Sequence, residues 1–254
     1  MNRKEDIGPE RISFTTFLLK ILAAGVGGVG GSLVLFVIIL FTGSVFPEAG
    51  DEFISPIFVF ILLIMIFLAT TLSNIMSVWL LGLTEKGKYK RISSAIYQVF
   101  IISIIILILM VPVYLFTVSS NIAYSGYVAG LHIIISAQVS ALILEIISNY
   151  KYALVGVYGV TFAVLISSGI LFGLSGVLES PQLLLFLALP IVWSSIAIIH
   201  TLVTMIYGWL ARTYDKDFLS TQTVYGKDYG KEVAEVKEEP KAEDESGADF
   251  LRHN

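Results

Sequence analysis

The distribution of charge constrains this chain more than any motif does. No Asp, Glu, Lys or Arg occurs in residues 53–84, 92–144, 152–178 or 180–211. A helix crosses the hydrocarbon core of a bilayer, about 30 Å thick, with about 20 apolar residues. Each of the four runs reaches that length. Soluble domains carry roughly 25% charged residues; here the share is 14%, against 56% hydrophobic residues and a mean hydropathy of +0.84. In lipid the backbone must satisfy its own hydrogen bonds, which leaves helices and closed barrels. The many Ile and Val residues show no alternation of lipid-facing and lumen-facing positions, so a barrel is excluded. The chain is expected to be an all-α integral membrane protein.

The run 92–144 is too long for one crossing, and SSNIAYSG at 119–126 supplies a polar, turn-forming break. Six transmembrane helices follow, at about 21–43, 53–83, 92–118, 127–147, 152–175 and 182–211. With the N-terminus placed in the cytoplasm, all 16 Lys and Arg residues fall on the inner side. The outer loops then hold only the acids Glu48, Asp51, Glu52 and Glu179. This is the positive-inside bias, and it predicts a multi-pass protein of the cell membrane with both termini cytoplasmic. The first span is too long for the apolar region of a cleaved signal peptide. The absence of cysteine excludes disulfides and thiolate chemistry.

Residues 1–20 read as a cytoplasmic N-terminal segment whose second half, PERISFTTFLLK, forms a short interfacial helix, with Lys20 reaching the headgroups. Residues 21–211 form the six-helix transmembrane domain. Residues 212–254 read as a flexible, disordered acidic tail, with too few apolar groups to build a core. That tail is a candidate docking segment for a membrane or cytoplasmic protein. Its acidity argues against nucleic acid as a partner. The one partner the composition demands is the bilayer itself.

AGVGGVGGS at 24–32 contains the pattern GxGxxG, the dinucleotide-binding fingerprint. That fingerprint requires a strand before it and a helix after it. Here FLLKILA precedes and LVLFVIILF follows, all within one membrane span, so no nucleotide or other cofactor is expected. Gly25, Gly27, Gly28 and Gly31 instead stand at spacings of three and four, which on a helix leave a groove where a neighbouring backbone approaches closely. Gly156, Gly159, Gly169, Gly173 and Gly176 around the fifth span are the expected counterpart.

Polar groups inside a membrane are costly and default to functional candidates. At about 100° per residue, Gln138, Glu145 and Asn149 fall within about 40° of one another, with Tyr127 on the same line. This predicts a polar face of the fourth span turned to protein or water, opposite His132, Ser136 and Ser140. Trp193, His200, Thr204 and Tyr207 form a second stripe on the sixth span. Asn74 and His200 lie about 13 and 15 Å deep, and Gln98 matches the depth of Glu145. Asn74, Gln98, Gln138, Glu145, Asn149 and His200 therefore form the candidate intramembrane cluster. Pro112 and Pro190 are expected to kink their helices.

GLSG at 173–176 resembles the GxSG serine motif of rhomboid intramembrane proteases, which also end on a helix bearing histidine. Ser175, however, sits at one end of its span and His200 about 27 Å deeper, whereas a nucleophile and its base must meet within about 3 Å. No Asp lies in a span, and three histidines, one of them in the tail, make a poor metal set, so neither a catalytic nor a metal site is expected. Two function classes remain. The favoured one is an accessory or scaffold membrane subunit. The alternative is a channel or transporter for a small solute or ion, using the polar residues of the fourth and sixth helices.

Overall fold

The computed structural model describes residues 12–42, 56–84, 92–118, 124–148, 153–178 and 180–213. Among these the protein is all-helical. Its elements are α1 (Phe14–Thr42), α2 (Pro56–Thr84), α3 (Ile92–Val113), a π-helical turn (Tyr114–Val118), α4 (Ser125–Ser148), α5 (Ala153–Ser175) and α6 (Pro181–Thr213). Counting the π turn with α3, six helices are long and apolar enough to span a membrane. The tail expected from residue 212 is corrected at its start, since α6 runs on to Thr213; residues 214–254 and the loop residues around 43–55 lie outside the described residues.

Local chemistry sets the helix ends. Ser13 caps α1: its hydroxyl accepts the Thr16 amide at 3.1 Å, and its carbonyl accepts the Phe17 amide at 2.9 Å. This start lies about two turns before residue 21, which corrects the expected boundary and places Lys20 inside the first span rather than before it. Ser180 caps α6 through the Leu183 amide at 3.3 Å, with Pro181 in the first helical position. Pro112 stands near the end of α3, and the backbone passes directly into the π turn. Proline removes the amide donor that would bond the Ile108 carbonyl and crowds that preceding turn; the π turn lies on its C-terminal side.

The helices pack within one compact unit, Pro9–Gly208. α2 is the most buried of the six and contacts α1, α3 and α4; α4 contacts α2, α3 and α5. α3 is the least buried, and Ile104, Ile108 and Leu109 on its outer face are exposed. The glycines of α1 face two neighbours. A Cβ on Gly27 would lie 2.6 Å from the Ser77 Cα, and one on Gly31 would lie 2.5 Å from the Ala69 carbonyl oxygen, both on α2. A Cβ on Gly28 would lie 2.5 Å from the Pro190 Cα of α6, and one on Gly25 3.4 Å from the Ser194 hydroxyl. The partners of α1 are thus α2 and α6. The expected counterpart on α5 is corrected: at Gly169 and Gly173 nothing comes within 4 Å of such a carbon.

The α1–α6 contact also repairs the defect that Pro190 introduces. In a regular helix the Phe186 carbonyl would accept the amide four residues on, and position 190 has none. The hydroxyl of Ser32, one turn beyond Gly28 on α1, donates to that carbonyl instead. A neighbouring serine satisfying a carbonyl freed by proline is the usual condition for proline inside a membrane helix.

α4 shows why straight-helix arithmetic misplaced its faces. Its buried positions include Ala129, Ile133, Ala137, Ala141 and Glu145, and beside them Val128, His132, Ser136, Ser140 and Leu144. Each step of four residues advances about 40°, so the buried stripe turns by about 160° between Ala129 and Glu145. His132 and Glu145 are therefore both inward, at different levels. Tyr127, expected on the inward face, is exposed, and Gln138 is half-buried.

Candidate functional site

Three ionisable side chains from three helices line one small cavity. Glu145 comes from the last two turns of α4, His200 from α6 and Lys20 from the second turn of α1; all three are buried. His200 Nε2 lies 3.3 Å from Glu145 Oε1. That is ion-pair distance, but the two groups are not aligned as a hydrogen bond. The cavity has about 20 Å³ of room, enough for about one water, and Thr201 also lines it.

The backbone of α5 makes the slot for this pair. A Cβ on Gly156 would lie 2.7 Å from Glu145 Oε2, and one on Gly159 would lie 2.9 Å from the His200 Cα. Any larger residue at either position would displace the carboxylate or the imidazole. Gly156 and Gly159 thus serve Glu145 and His200, not the glycines of α1.

The electrostatics follow from composition. Ionisable groups buried in a membrane are tolerated where they pair with one another or face a wet cavity. A lysine and a glutamate lining one cavity bring no net charge into it. Lys20, expected to reach the headgroups, is only 2% exposed. The correction has a physical setting: Glu145, of opposite sign to lysine when ionised, lines the same cavity.

A second polar junction lies further into the bundle. The Asn74 amide of α2 donates from Nδ2 to the Ser136 hydroxyl of α4 at 2.8 Å. Trp193 Nε1 of α6 donates to Asn74 Oδ1 at 3.1 Å. Because the indole N–H only donates, it fixes which end of the Asn74 amide is the oxygen. One asparagine so joins three helices. His132 packs edge-on to the Tyr114 ring of the π turn, with centroids 6.0 Å apart.

The structure therefore brings Glu145 and His200 together and places Asn74 in a separate junction. Gln98 is exposed on α3, Gln138 does not line the cavity, and Asn149 lies outside the described residues. Ser175, in the GLSG sequence, bonds the Phe172 carbonyl at 2.7 Å, while His200 is committed to the Glu145 side of α6. Sequence reasoning missed Lys20, Thr201 and the α5 glycines as parts of the site. The signal available was the pair Gly156 and Gly159, three residues apart and so on one side of the fifth span.

This is a helical bundle with six helices long and apolar enough to cross a membrane, and a cluster of ionisable side chains inside it. Family models, curated proteins and solved structures show no match to the chain.

Proposed function

We propose that this protein is an accessory or scaffold subunit of a membrane assembly, threaded six times through the cell membrane with both termini cytoplasmic. The supporting observation is that the two main polar junctions between its helices are narrow and turned inward. Asn74 is engaged by Ser136 and Trp193, and Glu145 and His200 meet around space for about one water. A permeation site requires polar groups turned toward a solute-sized path; these act as cross-braces between helices. The threading is supported by the basic residues: with the N-terminus inside, none of the 16 falls in an outer loop, and Lys20 alone lies within a span. The acidic segment 212–254 is then available to a partner in the cytoplasm.

A second reading, a channel or transporter for a small solute or ion, is favoured by the meeting of Lys20, Glu145 and His200 within the spans. The two separate in one experiment. The scaffold reading expects a defined partner in gently solubilised membranes, held at fixed stoichiometry and lost when residues 214–254 are removed. A monomer without partners, which in proteoliposomes conducts a flux abolished by Glu145→Gln, would replace it with the transport reading.

A further inference from the structure

The cavity between α1, α4 and α6 contains polar atoms that the surrounding protein does not satisfy. Thr201 is fully buried, and its hydroxyl has no hydrogen-bond partner in the protein. Threonines in helices usually settle this locally by bonding a carbonyl one turn back. Thr204 does so to the His200 carbonyl at 2.8 Å, and Thr70 to that of Ile66 at 2.8 Å. Thr201 makes no such bond. Beside it, His200 Nε2 faces Glu145 at 3.3 Å without alignment.

The lining decides what fits. A water needs about 10–15 Å³ and two to four polar partners, and this cavity has about 20 Å³. Lys20 opposes a cation there and Glu145 opposes an anion. α2 contributes Leu81 and α5 Val160, so no other titratable group lines the space. The ligand must be neutral, hydrogen-bonding and no larger than water.

We propose that the cavity is a hydration site binding one water between Thr201, His200 and Glu145. The water accepts from the Thr201 hydroxyl and donates to the Glu145 carboxylate. Toward His200 Nε2 it donates or accepts according to the imidazole tautomer. α4 and α6 are then joined by a bridge rather than by the ill-aligned pair alone, in contact with the cation of α1. The inference depends on neither functional reading above.

The test turns on Ala197, which lines the cavity one turn before Thr201. In the full chain, Ala197→Val fills the space. Displacing a bound water strands its partners, so Tm should fall by at least about 2 °C. Thr201→Val keeps the shape and removes the hydroxyl; in that background the cost of Ala197→Val should shrink, because the water has already lost a partner. Magnetisation transfer from water to labelled Thr201 and the His200 ring, measured in nanodiscs, should be present in the wild type and lost in Ala197→Val. A Tm that rises or holds on filling identifies a dry void and overturns the proposal. So does a cost that is the same in both backgrounds, which marks simple overpacking. Should Ala197→Val fail to fold, the wild-type transfer decides alone: its absence overturns the site.

Discussion

At the scale of single residues, Lys20 and Glu145 carry the strongest constraint, because each is a full charge placed among helices. Their side chains line the same cavity with opposite sign. Removing one leaves the other without the group of opposite sign that lines the same cavity; stranding a buried charge typically costs about 3–5 kcal/mol. Glu145→Gln preserves size and hydrogen bonding yet removes the anion, and Lys20→Met preserves the stem yet removes the cation. Each alone should lower stability in detergent by about 3 kcal/mol. The double variant should lose less than the sum, since it strands no charge. Thermal unfolding of the four proteins measures this directly. Additive losses would show that the two charges act independently.

At the scale of elements, the α1–α6 contact couples a glycine, a serine and a proline into one packing unit. Gly28 admits the Pro190 backbone, and Ser32 donates to the Phe186 carbonyl that Pro190 deprives of its donor. Ser32→Ala should therefore cost about 1–3 kcal/mol, the penalty for a buried unpaired polar group. Pro190→Ala returns an amide to the helix, and in that background Ser32→Ala should cost little. Equal costs of Ser32→Ala in both backgrounds would mean that the hydroxyl serves some other acceptor. The same contact shows what was legible beforehand. The presence of a close-packing glycine face on α1 followed from its spacing, as did the six spans from the charge-free runs. Which helix that face met did not follow, because small residues on any neighbour satisfy the spacing rule equally. The faces of α4 were misjudged for a related reason. A fixed 100° projection assumes one neighbour along the whole length, whereas α4 meets α2 through Ser136 and α6 through Glu145. Lys20 was hidden because a lone lysine at the edge of an apolar run reaches water by default, and what draws it inward is a glutamate far away in sequence.

At the scale of the whole molecule, the level of the charged cluster and the threading become one question. Lys20 stands near the start of α1, while Leu81, Glu145 and Thr201 stand toward the ends of α2, α4 and α6. They line one cavity, so these helix ends share one end of the bundle. The proposed threading makes that end the cytoplasmic one, because the basic residues at 86–91 and Lys151 follow α2 and α4 there and Arg212 lies in the last turn of α6. The chain contains no cysteine, so single cysteines report their side without background. Ala49→Cys, Ser120→Cys and Ser180→Cys should react in intact cells with a membrane-impermeant thiol reagent. Gly87→Cys and Ser246→Cys should react only after permeabilisation. The reverse pattern would invert the molecule, and with it the Lys20–Glu145–His200 cluster. α6 ends on the cluster's side of the bundle, so either orientation leaves the chain that follows α6 on the same side of the membrane as the cluster. The labelling result therefore decides which compartment any partner of residues 212–254 must occupy.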